Sequence, residues 1–348
     1  MDKQNSDLYA IKIFTGFIVM VLLVIILKAL KNIFIPFFMA LLLYFFFNRP
    51  VRKLLKLKIP LPLVLISLLV SIFIALYFFG MLIYASVSSF VDRFPEYSGH
   101  FTTMITGLLE RLEIPIKDLN SYVANINWEQ IINPSKVTAI ISSTFGDIGG
   151  FIGDLLLVLL FLMFMLAGRE SMLRRLKKAF IEDRAEKIGN IINSVENQVQ
   201  SYLLIKTLVN LSVATICGFI MFIGGFDFVI FAALLIFFLS FIPNFGSIVA
   251  TLFPVLTGFI KFGFSFRLIA VTLGLMVTQF IIGNVFEPKI TGKSLDISPI
   301  VIMMSLIFWG YVWGIVGMIL AVPLTSAMKI IFQNIPTLSP LAEIISSD

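Results

Sequence analysis

Apolar residues fill long blocks of this chain, and short joints rich in Pro, Gly or basic residues separate them. Roughly 17 to 25 consecutive apolar residues cross a bilayer as a helix. The blocks that read as helices are 11–28, 33–47, 61–84, 149–167, 206–224, 228–242, 247–262, 268–286, 299–312 and 314–332. Blocks 228–242, 299–312 and 33–47 are short for a crossing. Short adjacent blocks with Pro or Gly between them predict helical hairpins, re-entrant or fully crossing, in the C-terminal half. The expected fold is an all-α polytopic membrane protein of about eight transmembrane helices.

Composition agrees with that pattern. The 348 residues are 59% hydrophobic and 13% charged, with a mean hydropathy of +1.02, whereas soluble domains carry about 25% charged residues. Met1 to Asp7 is polar and no small-residue cleavage site follows the run Ile11–Leu27, so that run reads as a first span and not as a signal peptide. The single cysteine, Cys217, has no intrachain partner. The net charge of +6 lies in Lys and Arg beside apolar blocks, which fits a cytoplasmic membrane face better than nucleic acid.

Lys and Arg also set direction. The loop with Arg49, Arg52, Lys53, Lys56 and Lys58, and the segment with Arg169, Arg174, Arg175, Lys177, Lys178, Arg184 and Lys187, are both expected in the cytoplasm. The acidic 85–148 region between them is expected outside, and both termini inside. Lys28 and Lys31 are exceptions, since the scheme puts them outside. The resulting division is 1–84 (N-terminal spans), 85–148 (extracytoplasmic helices broken at Pro95, Pro115 and Pro134), 149–205, 206–335 (C-terminal core with two broken-helix hairpins) and 336–348 (cytoplasmic tail). Segment 149–205 reads as a span running on as one cytoplasmic helix, with Ile188, Ile191, Ile192, Val195 and Val199 on one face.

Three stretches are candidates for chemistry. In FIPNFGSIVATLFP (241–254), Pro243 removes a backbone donor, Gly246 loosens the helix, and Asn244 and Ser247 bring polar side chains to the break. It serves either as a surface turn or as a site for a cation or polar solute. In the second, Gln279, Asn284 and Glu287 share a broad helical face, Pro288 ends the helix, and Lys289, Gly292 and Lys293 follow. Glu287 is either a partly buried ion ligand or proton carrier, or half of a surface ion pair. The third, WGYVWGIVG (309–317), has Gly310, Gly314 and Gly317 for close approach or a break, and Pro323 is expected to kink the next run. Asp227 reads as a loop residue at the outer surface. His100, the sole histidine, has no ligand-like neighbours, so no metal site or other cofactor is expected. The familiar enzyme templates are absent, as is a nucleotide-binding loop. Uphill transport would therefore draw on a proton or sodium gradient.

FIPNFGSIVATLFPVL and EPKITGKSLDISPIVIMMSLIFWGYVWGIVGMILAVPLT resemble the signature regions of the autoinducer-2 exporter family of bacterial transporters. The matching positions are Pro243, Asn244, Gly246, Pro254, Glu287, Pro288, Gly292, Pro299, Gly310, Gly314, Gly317 and Pro323. Thr291 stands where an apolar residue is usual, and Asp296 where a small one is. The resemblance implies an inner-membrane homo-oligomer that exports a small quorum-sensing signal in some members and exchanges sodium for protons in others. Three readings follow. The first is gradient-driven export of a small polar organic solute along a path between 241–254 and 279–323. The second is a sodium (or lithium)/proton antiporter with Glu287 as the exchanging group. The third, from another class, is a non-transporting membrane scaffold. The same stretches predict a re-entrant hairpin over 299–323, with Glu287 at its mouth.

Overall fold

A computed structural model describes residues 3–111, 148–243, 245–291 and 296–347. Every regular element among them is helical. Seven helices are long and apolar enough to cross a membrane, and the shorter apolar helices Phe14–Ala29 and Val229–Leu239 accompany them. Large apolar side chains are widely exposed, Phe219 at 63%, Phe222 at 72% and Phe280 at 64%. In water such a surface would aggregate, and in lipid it is ordinary. The chain is a multi-pass all-α membrane protein.

The helices are α1 (Lys3–Ala29), α2 (Lys31–Lys56), α3 (Leu61–Arg111), α4 (Ile148–Ala179), α5 (Glu182–Ile223), α6 (Val229–Leu239), α7 (Phe245–Phe262), α8 (Phe266–Ile281), α9 (Glu287–Thr291), α10 (Pro299–Gln333) and α11 (Ser339–Ile345). A π-helical turn, Ile282–Phe286, joins α8 to α9. Several elements depart from the sequence-based reading. Block 33–47 is part of a 26-residue helix and long enough to cross. Helix α3 runs through Pro95 without ending, which a helix tolerates where water can satisfy the carbonyl that proline leaves unpaired. Pro115 and Pro134 lie outside the described residues. The basic segment is not one helix: α4 ends at Ala179, and α5 starts at Glu182 and runs on into the next span.

Two compact units make up the chain. The first comprises Met1–Val64, Ile152–Tyr202 and Lys293–Asp348. Its distinctive element is α10, which folds back on itself at Gly314 (φ 65°, ψ −143°), a region that side chains other than glycine's rarely adopt. Ser305 donates to the carbonyl of Ala321 at 3.2 Å and pairs with Thr325 Oγ1 at 2.6 Å, so the two arms run antiparallel. Pro323 lies inside the second arm, and Gly314 is the one residue of α10 with non-helical φ and ψ. Trp313 docks the hairpin tip, donating from Nε1 to the Leu27 carbonyl at 3.2 Å and packing on Phe38 at 5.0 Å. Lys28 lies over the Tyr311 ring at 3.3 Å, a cation–π contact that gives this exceptional lysine a partner. At the other end of the arms, Lys329 donates to the Asp296 backbone and carboxylate, and Ser347 also reaches that carboxylate. The Lys329 bond holds the Asp296 carboxyl down to about 2. A buried hub gathers on Glu196: Tyr44 donates at 2.7 Å, Asn48 at 3.3 Å, and the guanidiniums of Arg169 and Arg52 at 2.7 and 3.4 Å.

The second unit comprises Leu65–Phe151 and Leu203–Gly292. Its core is built from α5, α6, α7 and α8, around Cys217, Met221, Ile236, Ala250 and Leu275. Helices α6 and α7 form the other hairpin. Helix α6 has 11 residues, about 16 Å at 1.5 Å per residue and far short of the ~30 Å hydrocarbon core. Both hairpin ends meet at Asp227, a loop residue as expected, though its carboxylate is only 15% exposed. Arg93 donates to it at 2.8 Å, Tyr97 at 2.7 Å and Lys261 at 2.7 Å. Burial pushes the Asp227 carboxyl up. The Lys261 bond, the Tyr97 bond and the charges of Lys261 and Arg93 outweigh it, and the net shift is downward. Burial and the bond to Asp227 push the Tyr97 hydroxyl well above its usual range.

Both hairpins depend on glycine contacts. A Cβ on Gly246 would stand 1.6 Å from the Leu239 carbonyl oxygen, and one on Gly317 1.9 Å from that of Trp309. Backbone cannot yield there. Gly246→Ala and Gly317→Ala are expected to lower unfolding stability in detergent by about 1–3 kcal/mol. Gly80→Ala, with nothing within 4 Å, is expected to leave the melting temperature unchanged or slightly raised. A group whose folded pKa is depressed stabilises above its unfolded value and loses that contribution as pH falls through the folded one. Asp227→Asn is therefore expected to melt lower than wild type at pH 7, with the gap closing below about pH 4 in thermal scans across pH.

Candidate functional site

Helix α5 carries a stripe at helical spacing, Glu196, Val199, Leu203, Lys206, Asn210, Val213 and Cys217, every member buried. Three of these are polar or charged inside an otherwise apolar run. An ionisable group at such depth is costly unless paired, and is usually functional. In the second unit, Lys206 donates to Glu287 Oε1 at 2.6 Å, and the two side chains are only 9% and 23% exposed.

That ion pair lies on the wall of a cavity of about 180 Å³. The other lining residues are Val209, Asn210, Val213, Ser240, Ile242, Pro243, Ser247, Gln279, Gly283 and Asn284. The hairpin turn forms one side, α5 another, and the end of α8 with its π-turn a third. Within the turn, Ile242 N–H donates to Leu239 at 2.8 Å and Gly246 N–H to Ile242 at 3.1 Å. Asn210 holds the hairpin by donating to the Phe237 carbonyl at 3.3 Å. Thr251 donates to the Ser247 carbonyl at 2.6 Å and accepts from Gln279 Nε2 at 2.6 Å. Thr251 thereby aims the Gln279 amide.

The π-turn puts Gln279 and Glu287 in register. Eight residues of regular α-helix rotate a side chain about 80° out of phase with the first. One extra residue in a π-turn brings them back to within about 20°. Pro288 contributes too, since in the π register it withholds a donor from the carbonyl of Gly283, which lines the cavity.

The structure thus gathers Pro243, Ser247, Gln279, Asn284 and Glu287 around one cavity. Gly246 serves the hairpin contact beside it. Pro288 and Lys289 are exposed and do not line it. Asn244 and Gly292 lie outside the described residues. Gly310, Gly314, Gly317 and Pro323 belong to the first unit. Glu287 lines the cavity beneath the α6–α7 hairpin of its own unit. Sequence reading missed Lys206, Asn210, Ser240 and Thr251. A signal was present for two of them, in Lys206 and Asn210 four residues apart within the apolar run LLIKTLVNLSVA. Among the described residues no cluster of His, Cys, Asp and Glu suits a metal ion.

The model of the AI-2E family transporter matches residues 16–337. The chain belongs to the AI-2E transporter family. A putative transport protein of Borreliella burgdorferi is 32% identical over 72% of this chain and 67% of its own length. One from Haemophilus influenzae is 27% identical over 90% of each chain. The AI-2 transport protein TqsA of Escherichia coli is 26% identical over 90% of each. Transport across a membrane is therefore this protein's class of activity.

If Lys206 and Glu287 neutralise each other in the folded state, removing one charge strands the other. Lys206→Met and Glu287→Gln are each expected to cost about 1–3 kcal/mol. The double variant should be more stable than the sum of the two, as measured by thermal unfolding.

Proposed function

We propose that this cavity is the solute site of a gradient-driven transporter that exports a small polar organic molecule, of the size and polarity of a quorum-sensing signal. The observation that carries the reading is the lining itself. A charged donor, a carboxylate, three amides and two serines surround about 180 Å³, roughly the volume of six waters. Such a lining satisfies a solute carrying both hydroxyls and carbonyls, and its ion pair is internally neutral. A bare cation is less well served, since the Lys206 ammonium already occupies the carboxylate at 2.6 Å.

The same contact gives the second reading its support. An ion pair at a cavity can exchange partners, with sodium taking the Glu287 carboxylate while the displaced Lys206 ammonium gives up its proton, which is the behaviour of a sodium/proton antiporter. Both readings take the Arg49–Lys58 and Arg169–Lys187 stretches as cytoplasmic, a reading that the clustering of Lys and Arg supports.

Proteoliposomes separate the two. Wild-type protein is expected to move a small polyhydroxylated signal down an imposed proton or sodium gradient, with Glu287→Gln and Gln279→Ala each reducing flux at least about tenfold. A tenfold change corresponds to about 1.4 kcal/mol of lost interaction. If sodium pulses drive proton movement with no solute present, the antiporter reading replaces the first. If both variants keep every gradient-dependent flux, the site assignment is wrong.

A further inference from the structure

We propose that the groove bounded by α2, α4 and the start of α5 in the first unit binds one anionic phospholipid, an acyl chain lying along the groove and the phosphate on Arg175. The groove encloses about 550 Å³, and Leu41, Phe45, Phe164, Met165 and Ile192 supply its apolar wall. That volume lies within the range of sites that hold ligands of drug size.

Depth and charge both select the occupant. The apolar stretch of α4 ends at Arg169, and Arg175 follows it in the same helix. Six residues further is about 9 Å along the axis, just beyond the hydrocarbon and at the level of lipid headgroups. The groove therefore runs from hydrocarbon depth at Phe164 to headgroup depth at Arg175, the profile of a lipid and not of a soluble metabolite. At the polar end Tyr44, Arg169 and Glu196 line the groove, and the Glu196 carboxylate is already engaged by Tyr44 and Arg169 and, from outside the groove, by Asn48 and Arg52. Among the described contacts Glu196 pairs with Arg52 and Arg169 and not with Arg175, so guanidiniums outnumber carboxylates in the lining of this end. Ser171 takes part in the lining beside it. A phosphodiester meets that end with a full negative charge and two acceptor oxygens, which suits a guanidinium fork. A zwitterionic headgroup brings its own cation and gains less.

The test uses purified full-length protein in neutral detergent, with phosphatidylglycerol, phosphatidylcholine of the same chains, and free oleate as probes. Native mass spectrometry reads retained lipid per protomer, and thermal unfolding reads stabilisation, since a ligand of the native state raises the melting temperature. Phosphatidylglycerol is expected to bind at least about fivefold tighter than phosphatidylcholine, the scale of one basic side chain at a lipid surface. Arg175→Ala should remove that preference, and Met172→Trp, which fills the groove, should weaken both lipids. Equal binding of the two phospholipids, or a preference that survives Arg175→Ala, overturns the proposal. So does oleate bound as tightly as phosphatidylglycerol. An oligomer that Met172→Trp disperses without changing lipid retention would show that a second copy of the chain fills the groove, and overturns it as well.

Discussion

Backbone that leaves the helical pattern inside lipid must have its polar groups satisfied by the protein itself, because the hydrocarbon offers none. Both units meet this demand with the same device. A helix turns back, a glycine lets the arms touch at carbonyl distance, and side chains close the remaining bonds. In the second unit Gly246 lies against the Leu239 carbonyl, and Asn210 reaches the carbonyl of Phe237. In the first, Gly317 lies against the Trp309 carbonyl, and Ser305 with Thr325 ties the arms. The candidate cavity lies against the turn of the α6–α7 hairpin, lined there by Ser240, Ile242 and Pro243.

Charge obeys the same economy. Glu196, Lys206 and Glu287 are each placed among apolar helices, and each has a partner of opposite sign within its own unit. Buried pairs of this kind contribute little net stability, since desolvation cancels much of the attraction. What the contacts show is which helices each pair ties together. The Glu196 hub joins α2, α4 and α5, while the Lys206–Glu287 pair joins α5 to α9 at the wall of the cavity. Asp227 and Asp296 act nearer the ends of helices, where their depressed carboxyl pKa values keep them ionised and their links intact at neutral pH.

Much of the architecture was legible in one dimension because lipid imposes a simple rule on composition. The apolar blocks became the helices almost one for one, and the joints at 243–246 and 310–317 became the two hairpins. The polar positions Ser247, Gln279, Asn284 and Glu287 share a cavity with Pro243, as residues that interrupt an apolar run tend to do. What escaped was anything decided by phase or by a partner distant in sequence. A period count puts Gln279 and Glu287 on a broad face, but it is the π-turn that aligns them. Lys206 sits 81 residues from Glu287, and nothing local announces that the two will meet.

The sequence by itself determined that this protein spans a membrane, where its helices break, and which polar residues are available at the breaks. Hydropathy and the missing proline N–H are local properties, so a string of residues carries them. Only the tertiary structure decided that Glu287 pairs with Lys206, that Pro323 continues a helix while Gly314 reverses one, and that Glu196 is the centre of a hub with four donors. Those outcomes rest on distances of a few ångströms between segments far apart in the chain. Packing sets such distances, and the pattern along the chain does not.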